Sequence, residues 1–234
     1  MRFLFLALSA VILTACGQVD YDKAPTGTFT GSLFVMWIGE GGRSGDGSFV
    51  FVPNPRDPLQ FVRAEGHGSV SRIQPEMIYT DGGSIPRAAQ LFNGFAPWGY
   101  APAYMIHDWL FVARHCLTDE TPTKAEETIS AMAFQESAEI IAEAIKTLID
   151  SGKVQQNDIA PRVISGTVAG PISYAKWEAK GACAANRVSE ADKAAAEAAI
   201  PGSSKAQLSR MGRVAGDGTV VPVKPAELVA TLTF

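Results

Sequence analysis

Two short stretches of this chain hold the side chains that acid–base chemistry uses. Asp81, Ser84 and Arg87 lie in Thr80-Asp81-Gly82-Gly83-Ser84-Ile85-Pro86-Arg87, and His107 and Asp108 lie in Ile106-His107-Asp108-Trp109-Leu110-Phe111. An imidazole takes and returns a proton near neutral pH, a carboxylate orients it, and a guanidinium clamps a carboxylate or a developing oxyanion. Three arrangements of these groups compete. In the first, Asp81 or Asp108 joins His107 and Arg87 in a network that staples a loop to a helix. In the second, His107 is a general base or metal ligand in a hydrolytic site, with carboxylates from Asp81, Asp108 or Glu126. In the third, Ser84 is a nucleophile activated by His107, although no Gly-x-Ser-x-Gly elbow surrounds it. His107 and Asp108 point about 100° apart on a helix, so no single partner faces both. Burying them unpaired costs several kcal/mol, which predicts that partners arrive from the 80–87 loop.

Other polar residues carry less. His115 lies seven residues after Asp108, ~10.5 Å along a helix axis, too far to share one metal ion, and it suits a helix C-terminus. The adjacent His-Asp is similar to the metal pair of HD-domain phosphohydrolases, but His67 sits among strands and offers no matching ligand from a helix. Gly39 to Gly47 holds five glycines, yet no Gly-Lys-Ser/Thr follows and a strand comes next, which speaks against a phosphate loop. The sequence names no cofactor and no metal.

These residues need a scaffold, and the patterning supplies an α+β one: an N-terminal antiparallel β-sheet packed against a C-terminal group of three to four helices. Thr28–Ile38 and Ser48–Val52 are rich in β-branched and aromatic residues and read as a strand pair around the Gly-rich loop. Leu59–Arg63 and Ser69–Tyr79 read as further strands, the latter demoted towards an edge by Pro75. Ala103–Cys116 is a nearly continuous apolar run behind Pro102, hence a buried helix carrying His107 and Asp108. Thr123 and Glu126 have capping-box spacing and open a helix whose stripe is Ile129, Met132, Ile141, Ile145 and Leu148. Asn157 or Asp158 caps a third helix, interrupted at Gly170-Pro171, and Ser189 opens an alanine-rich fourth. Residues 28–200 form one domain on this reading. Residues 201–234 are loosely organised, with only weak strand signals at 219–223 and 228–232.

The beginning of the chain reads as an address. Arg2 precedes an apolar stretch, Phe3 to Leu13, too short to span a bilayer, and Leu13-Thr14-Ala15-Cys16-Gly17 resembles the lipobox of bacterial lipoproteins. Residues 1–15 are then a signal peptide, Cys16 becomes an acylated N-terminus, and residues 16–27 are a tether. Two or three acyl chains suffice for stable anchoring. Gly17 rather than Asp after the cysteine favours, by resemblance to Gram-negative sorting, the periplasmic side of the outer membrane. With Cys16 acylated, Cys116 and Cys183 remain in an oxidising compartment and are candidates for a disulfide.

The two motifs, with Pro97-Trp98-Gly99-Tyr100 between them, resemble the DUF1353 family of bacterial and phage domains of unknown function over roughly residues 45–175. That family pairs a strand ending in Thr-Asp-x-x-Ser-x-Pro-Arg with a helix bearing His-Asp-x-Leu-aromatic. Ala125-Glu126 stands where the family has Ala-Asp, Met77 replaces a usual Gly, and Val112–Lys124 is longer than typical. The resemblance implies a sheet against helices and directs attention to Asp81, Ser84, Arg87, His107 and Asp108. It implies no established activity.

Composition narrows the function classes. The 234 residues are 47% apolar, enough for a core, and carry a net charge of −4 with no Lys/Arg run, which argues against nucleic acid as a partner. Envelope location makes hydrolysis of an envelope polymer the enzymatic expectation. The rival is a non-catalytic envelope or phage-related interaction module in which the motif is a structural staple. A catalytic His107 should be reachable by solvent, whereas a staple should close it off.

Overall fold

A computed structural model describes residues 19–40, 47–80, 98–156, 159–202, 213–214, 216–221 and 223–234. The strands are β1 (Thr28–Thr30), β2 (Ser32–Glu40), β3 (Gly47–Pro53), β4 (Gln60–Val62), β5 (Arg72–Ile73), β6 (Ile78–Thr80), β7 (Arg213–Val214), β8 (Val220–Val221) and β9 (Glu227–Thr233). The helices are α1 (Ala101–Thr118), α2 (Lys124–Glu127), α3 (Phe134–Asp150), α4 (Ala160–Val168), α5 (Pro171–Trp177), α6 (Cys183–Asn186) and α7 (Glu190–Ala199), preceded by a 3-10 turn at Tyr21–Lys23. The fold is mixed α+β, with a four-stranded antiparallel sheet ordered β6-β3-β2-β9 and a three-stranded one ordered β1-β4-β5.

The four-stranded sheet is covered on both faces, which explains why β2 and β3 read as unbroken apolar runs. Alternate residues point to opposite sides. Leu33, Val35, Phe51 and Ile78 join a core with Met105, Ile106, Trp109 and Leu110 of α1 and Ile141 and Ile145 of α3. Phe34, Met36, Val50 and Val52 face the other way, onto Ala196 of α7 and Ile200. Gly31 separates β1 from β2 at φ 83°, and a side chain there would collide with the Pro58 carbonyl.

α1 starts with Pro102 in its first turn. It ends where Glu120 takes a left-handed conformation at φ 59°, with Thr121 N–H donating to Cys116 O and Glu120 N–H to Leu117 O, closing its last carbonyls. The Thr123–Glu126 capping box forms as expected, with Glu126 N–H donating to Thr123 Oγ1 and Thr123 N–H to the Glu126 carboxylate. The helix it opens is only four residues long, however, and the chain restarts at Phe134. Ser189 caps α7, whereas Asn157 and Asp158, the expected caps of α4, lie outside the described residues.

Two further expectations change. The strand expected at Ser69–Tyr79 is two short pieces, β5 and β6, separated by the Gln74-Pro75 segment. Of the segment 201–234, expected to be loose with weak strand signals at 219–223 and 228–232, both signals are strands, β8 and β9, and β9 pairs antiparallel with β2 from Ser32↔Thr233 to Trp37↔Glu227. The sheet is thus not purely N-terminal. Thr and Leu alternate in Ala230-Thr231-Leu232-Thr233, a pattern suited to a strand with one face packed, and Ala230 and Leu232 rest against the core.

Candidate functional site

Tyr100, at the N-cap of α1, and Tyr104, His107, Phe111 and His115 within it form an aromatic ladder at helical spacing. Tyr100 and Tyr104 meet edge to face at 6.2 Å, His107 and Phe111 at 4.9 Å, and Phe111 reaches Trp177 of α5 at 5.2 Å. His107 is sealed, with 6% of its surface exposed. Its Nδ1 stands 3.6 Å from Asp108 Oδ1, beyond hydrogen-bond length, and its Nε2 is buried with no partner among the described residues. Tyr104 Oη, one turn earlier, is also buried without a partner there. Burial pushes the Tyr104 hydroxyl well above its ordinary value, with Tyr100 and the Asp108 carboxylate adding to the effect. Asp108 turns partly to solvent, its side chain 35% exposed.

Asp81, Ser84 and Arg87 lie outside the described residues, so their convergence on His107 is not placed. The strand that leads to them is placed: β6 packs against α1 and pairs with β3 from Phe49↔Thr80 to Phe51↔Ile78. Trp98, where description resumes, sets its ring edge-on to Phe49 at 5.6 Å and Phe51 at 6.1 Å.

The remaining candidates have structural duties. His115 is buried between α5 and α6, its Nε2 at 2.6 Å from the Lys176 carbonyl and its Nδ1 at 2.8 Å from Asn186 Nδ2. A carbonyl can only accept and an amide nitrogen can only donate, which selects the neutral tautomer with the proton on Nε2. His115 does lie in the last turn of α1, as expected of a helix-terminal histidine, and two hydrogen bonds across helices hold it there. Glu126, a candidate carboxylate for hydrolysis, is buried, closes the capping box and pairs with Arg187. Arg187 also donates to the Thr121 carbonyl at 2.8 Å. Cys116 and Cys183 form a disulfide between α1 and α6, their Cα atoms 4.6 Å apart. Beside it Asp119 accepts from the Gly181 and Cys183 amides at 2.7 and 2.9 Å. Those backbone bonds, Cys183 first, hold its carboxyl below the usual carboxylate range.

The most heavily bonded buried polar cluster lies elsewhere, and the sequence reading did not single it out. Arg63 donates through Nε and one terminal nitrogen to the two oxygens of Glu143, at 2.8 and 2.7 Å, and through the other to Glu136. Glu136 also accepts from the Ser69 hydroxyl at 2.6 Å and from the Ser69 and Val70 amides. Gly68, at φ 68°, passes so close that a side chain there would strike Arg63 and Glu136. The available signal was a pair of glutamates seven residues apart on the apolar stripe of α3, a placement that calls for a buried cation.

Among the described residues no three His, Cys, Asp or Glu side chains gather where a metal ion would sit, and no helix is long and apolar enough to cross a membrane. Comparisons with protein-family models, with curated proteins and with solved structures gave no match to this chain.

Proposed function

We propose that the chain is a lipid-anchored protein of the bacterial envelope, held by acylated Cys16 at the periplasmic face of the outer membrane, with a body that acts as a non-catalytic structural or interaction module akin to the DUF1353 domains. The observation that carries the non-catalytic reading is the closure of His107, whose Nε2 no solvent reaches. A general base must come within hydrogen-bond reach of the proton it removes, directly or through one water. Two other residues that could have assisted, Glu126 and His115, are spent on capping and helix-to-helix bonds.

A second reading, hydrolysis of an envelope polymer with His107 as base and Asp81, Asp108, Arg87 or Ser84 assisting, draws on a different observation. His107 Nε2 and Tyr104 Oη, one helical turn apart, are both buried with no partner among the described residues, and buried polar atoms ordinarily find partners. Diethyl pyrocarbonate separates the two readings, because it modifies accessible neutral imidazoles. A module predicts rapid modification of exposed His67 and protection of His107 until the protein is unfolded. Modification of His107 at the rate of His67 would favour the hydrolytic site. The anchor is tested separately: Cys16→Ala should abolish labelling by a fatty-acid analogue and release the protein from the membrane fraction, and undiminished labelling would refute it.

A further inference from the structure

The surface beside the first described residues carries several exposed apolar side chains. Ile159, at 67% exposure, and Val163, at 45%, lie one turn apart at the start of α4, and Ile172, at 77%, opens α5 beyond the Gly170-Pro171 corner. Exposed apolar side chains scattered singly need no explanation, but three on two consecutive short helices concentrate apolar surface on this part of the molecule. From Ile159 to Trp177 the sequence holds no Asp or Glu, and its only charged residues are Arg162 and Lys176.

This surface adjoins the point where the described chain begins. The 3-10 turn Tyr21–Lys23 packs against α3 and α4. Arg162 of α4 clasps Asp22 at 2.6 Å, and Lys146 of α3 donates to the Asp22 and Ala24 carbonyls at 3.0 and 2.7 Å. Tyr21 tucks against the core, and burial, with Tyr100 and Asp150 nearby, pushes its hydroxyl up to about 12. Both carboxylates of this entry are neutralised, Asp22 by Arg162 and Asp20 by Lys23 at 2.8 Å. Only three peptide steps separate Cys16 from Val19, a reach of at most about 11 Å however that connection runs.

We propose that the α4–α5 face carrying Ile159, Val163 and Ile172 rests in the interfacial layer of the lipid bilayer, fixing the orientation of the body on its anchor. The inference builds on acylation of Cys16. A membrane-bound acyl chain that begins so close to α4 holds this face within reach of the headgroups, where apolar side chains bury area, and helices without carboxylates of their own, beside an Asp22 paired with Arg162, meet little repulsion from anionic lipid. An in-plane helix buries its apolar face roughly 5–10 Å below the headgroup boundary, a depth that branched side chains at its surface can exploit. Orientation then follows without any transmembrane element. α7, on the opposite side of the four-stranded sheet, faces away from the lipid.

The test uses the full acylated protein in vesicles of phosphatidylethanolamine and phosphatidylglycerol. An environment-sensitive fluorophore is placed at Val163→Cys, at Ile172→Cys or, as the far-side control, at Lys193→Cys of α7, and the lipids carry quenchers in their acyl chains. Quenching at positions 163 and 172 several-fold greater than at 193 supports the proposal. Equal quenching at all three, while the protein still floats with the vesicles, overturns the proposal and leaves the anchor intact. Failure to float together with an unacylated Cys16 peptide by mass spectrometry overturns both. A label-free arm follows hydrogen exchange in unmodified protein: slowing of amides across 160–177 with vesicles present is expected, and unchanged exchange there counts against a seated face.

Discussion

Arg63 and Glu143 meet in a two-pronged ion pair, guanidinium to carboxylate at 2.8 and 2.7 Å, with both side chains almost wholly out of solvent. The pair joins β4 to the middle of α3, and Glu136 extends it to the Ser69 and Val70 backbone. Removing one partner strands the other in a low-dielectric site. Arg63→Ala should therefore lower stability by about 3–5 kcal/mol, read as a reduced urea midpoint. Replacing all three charged residues with apolar ones of similar volume should restore part of that loss.

The same cluster makes stability depend on acid. Burial pushes the Glu136 carboxyl up, but the Ser69 hydroxyl, the Ser69 and Val70 amides and Arg63 together outweigh it and hold it below its ordinary 4.5. A carboxyl depressed in the folded state contributes stability above the unfolded value and loses it as pH falls through the folded one. Melting temperature should hold steady from neutral pH down to about 5 and then fall. Glu136→Gln should start lower and show a shallower fall, which a pH series of melts of the two proteins checks.

The Cys116–Cys183 disulfide spans 67 residues. In the chain-entropy account a loop of that length is worth about 4 kcal/mol against the unfolded state. The double variant Cys116→Ser, Cys183→Ser should melt well below the parent. Adding a reductant should lower the parent's melting temperature towards the variant's and leave the variant unmoved.

Tyr104 and His107 call for opposite outcomes. Tyr104 Oη has no partner among the described residues, and a buried hydroxyl without one contributes nothing by being polar, so Tyr104→Phe should melt at or above the wild-type temperature, within about 1 kcal/mol of it. His107→Ala removes a ring that packs on Phe111 and should lower it. A large loss with Tyr104→Phe would show that the hydroxyl is bonded after all.

The fold class was legible because burial and periodicity agree over the long elements: β2, β3, α1 and the apolar stripe of α3. The Thr123–Glu126 cap and the Ser189 cap could be read because capping is local chemistry, set within three residues. The break between α2 and α3 was not legible, since Ile129 and Met132 keep the helical period while the backbone leaves it. β9 was legible only as a weak candidate, for another reason. Strand pairing is decided by a partner far away in sequence, and Leu228 to Leu232 gives only a weak signal until β2 is set beside it. At the site, the sequence singled out His107, correctly placed it on a buried helix and put His115 at that helix's C-terminal end, but the bonds that hold His115 were not legible because Lys176 and Asn186 reach it from helices some sixty to seventy residues later. Asp81, Ser84 and Arg87 fall outside the described residues, so the expected loop-on-helix staple remains a proposal.

The pairing of β2 with β9 also sets an order of events. β2 is made early and its outer edge is filled only when Glu227–Thr233 arrives, so the four-stranded sheet cannot be completed during most of synthesis. Until then Leu33 to Trp37 offers a bare apolar edge to any other extended chain. A chain stopped before residue 227 would keep that edge open and should aggregate or be degraded rather than accumulate as a smaller folded body. If the chain is exported as proposed above, postponing closure in this way favours an unfolded chain during passage through the membrane, with dependence on whatever holds such chains apart in transit.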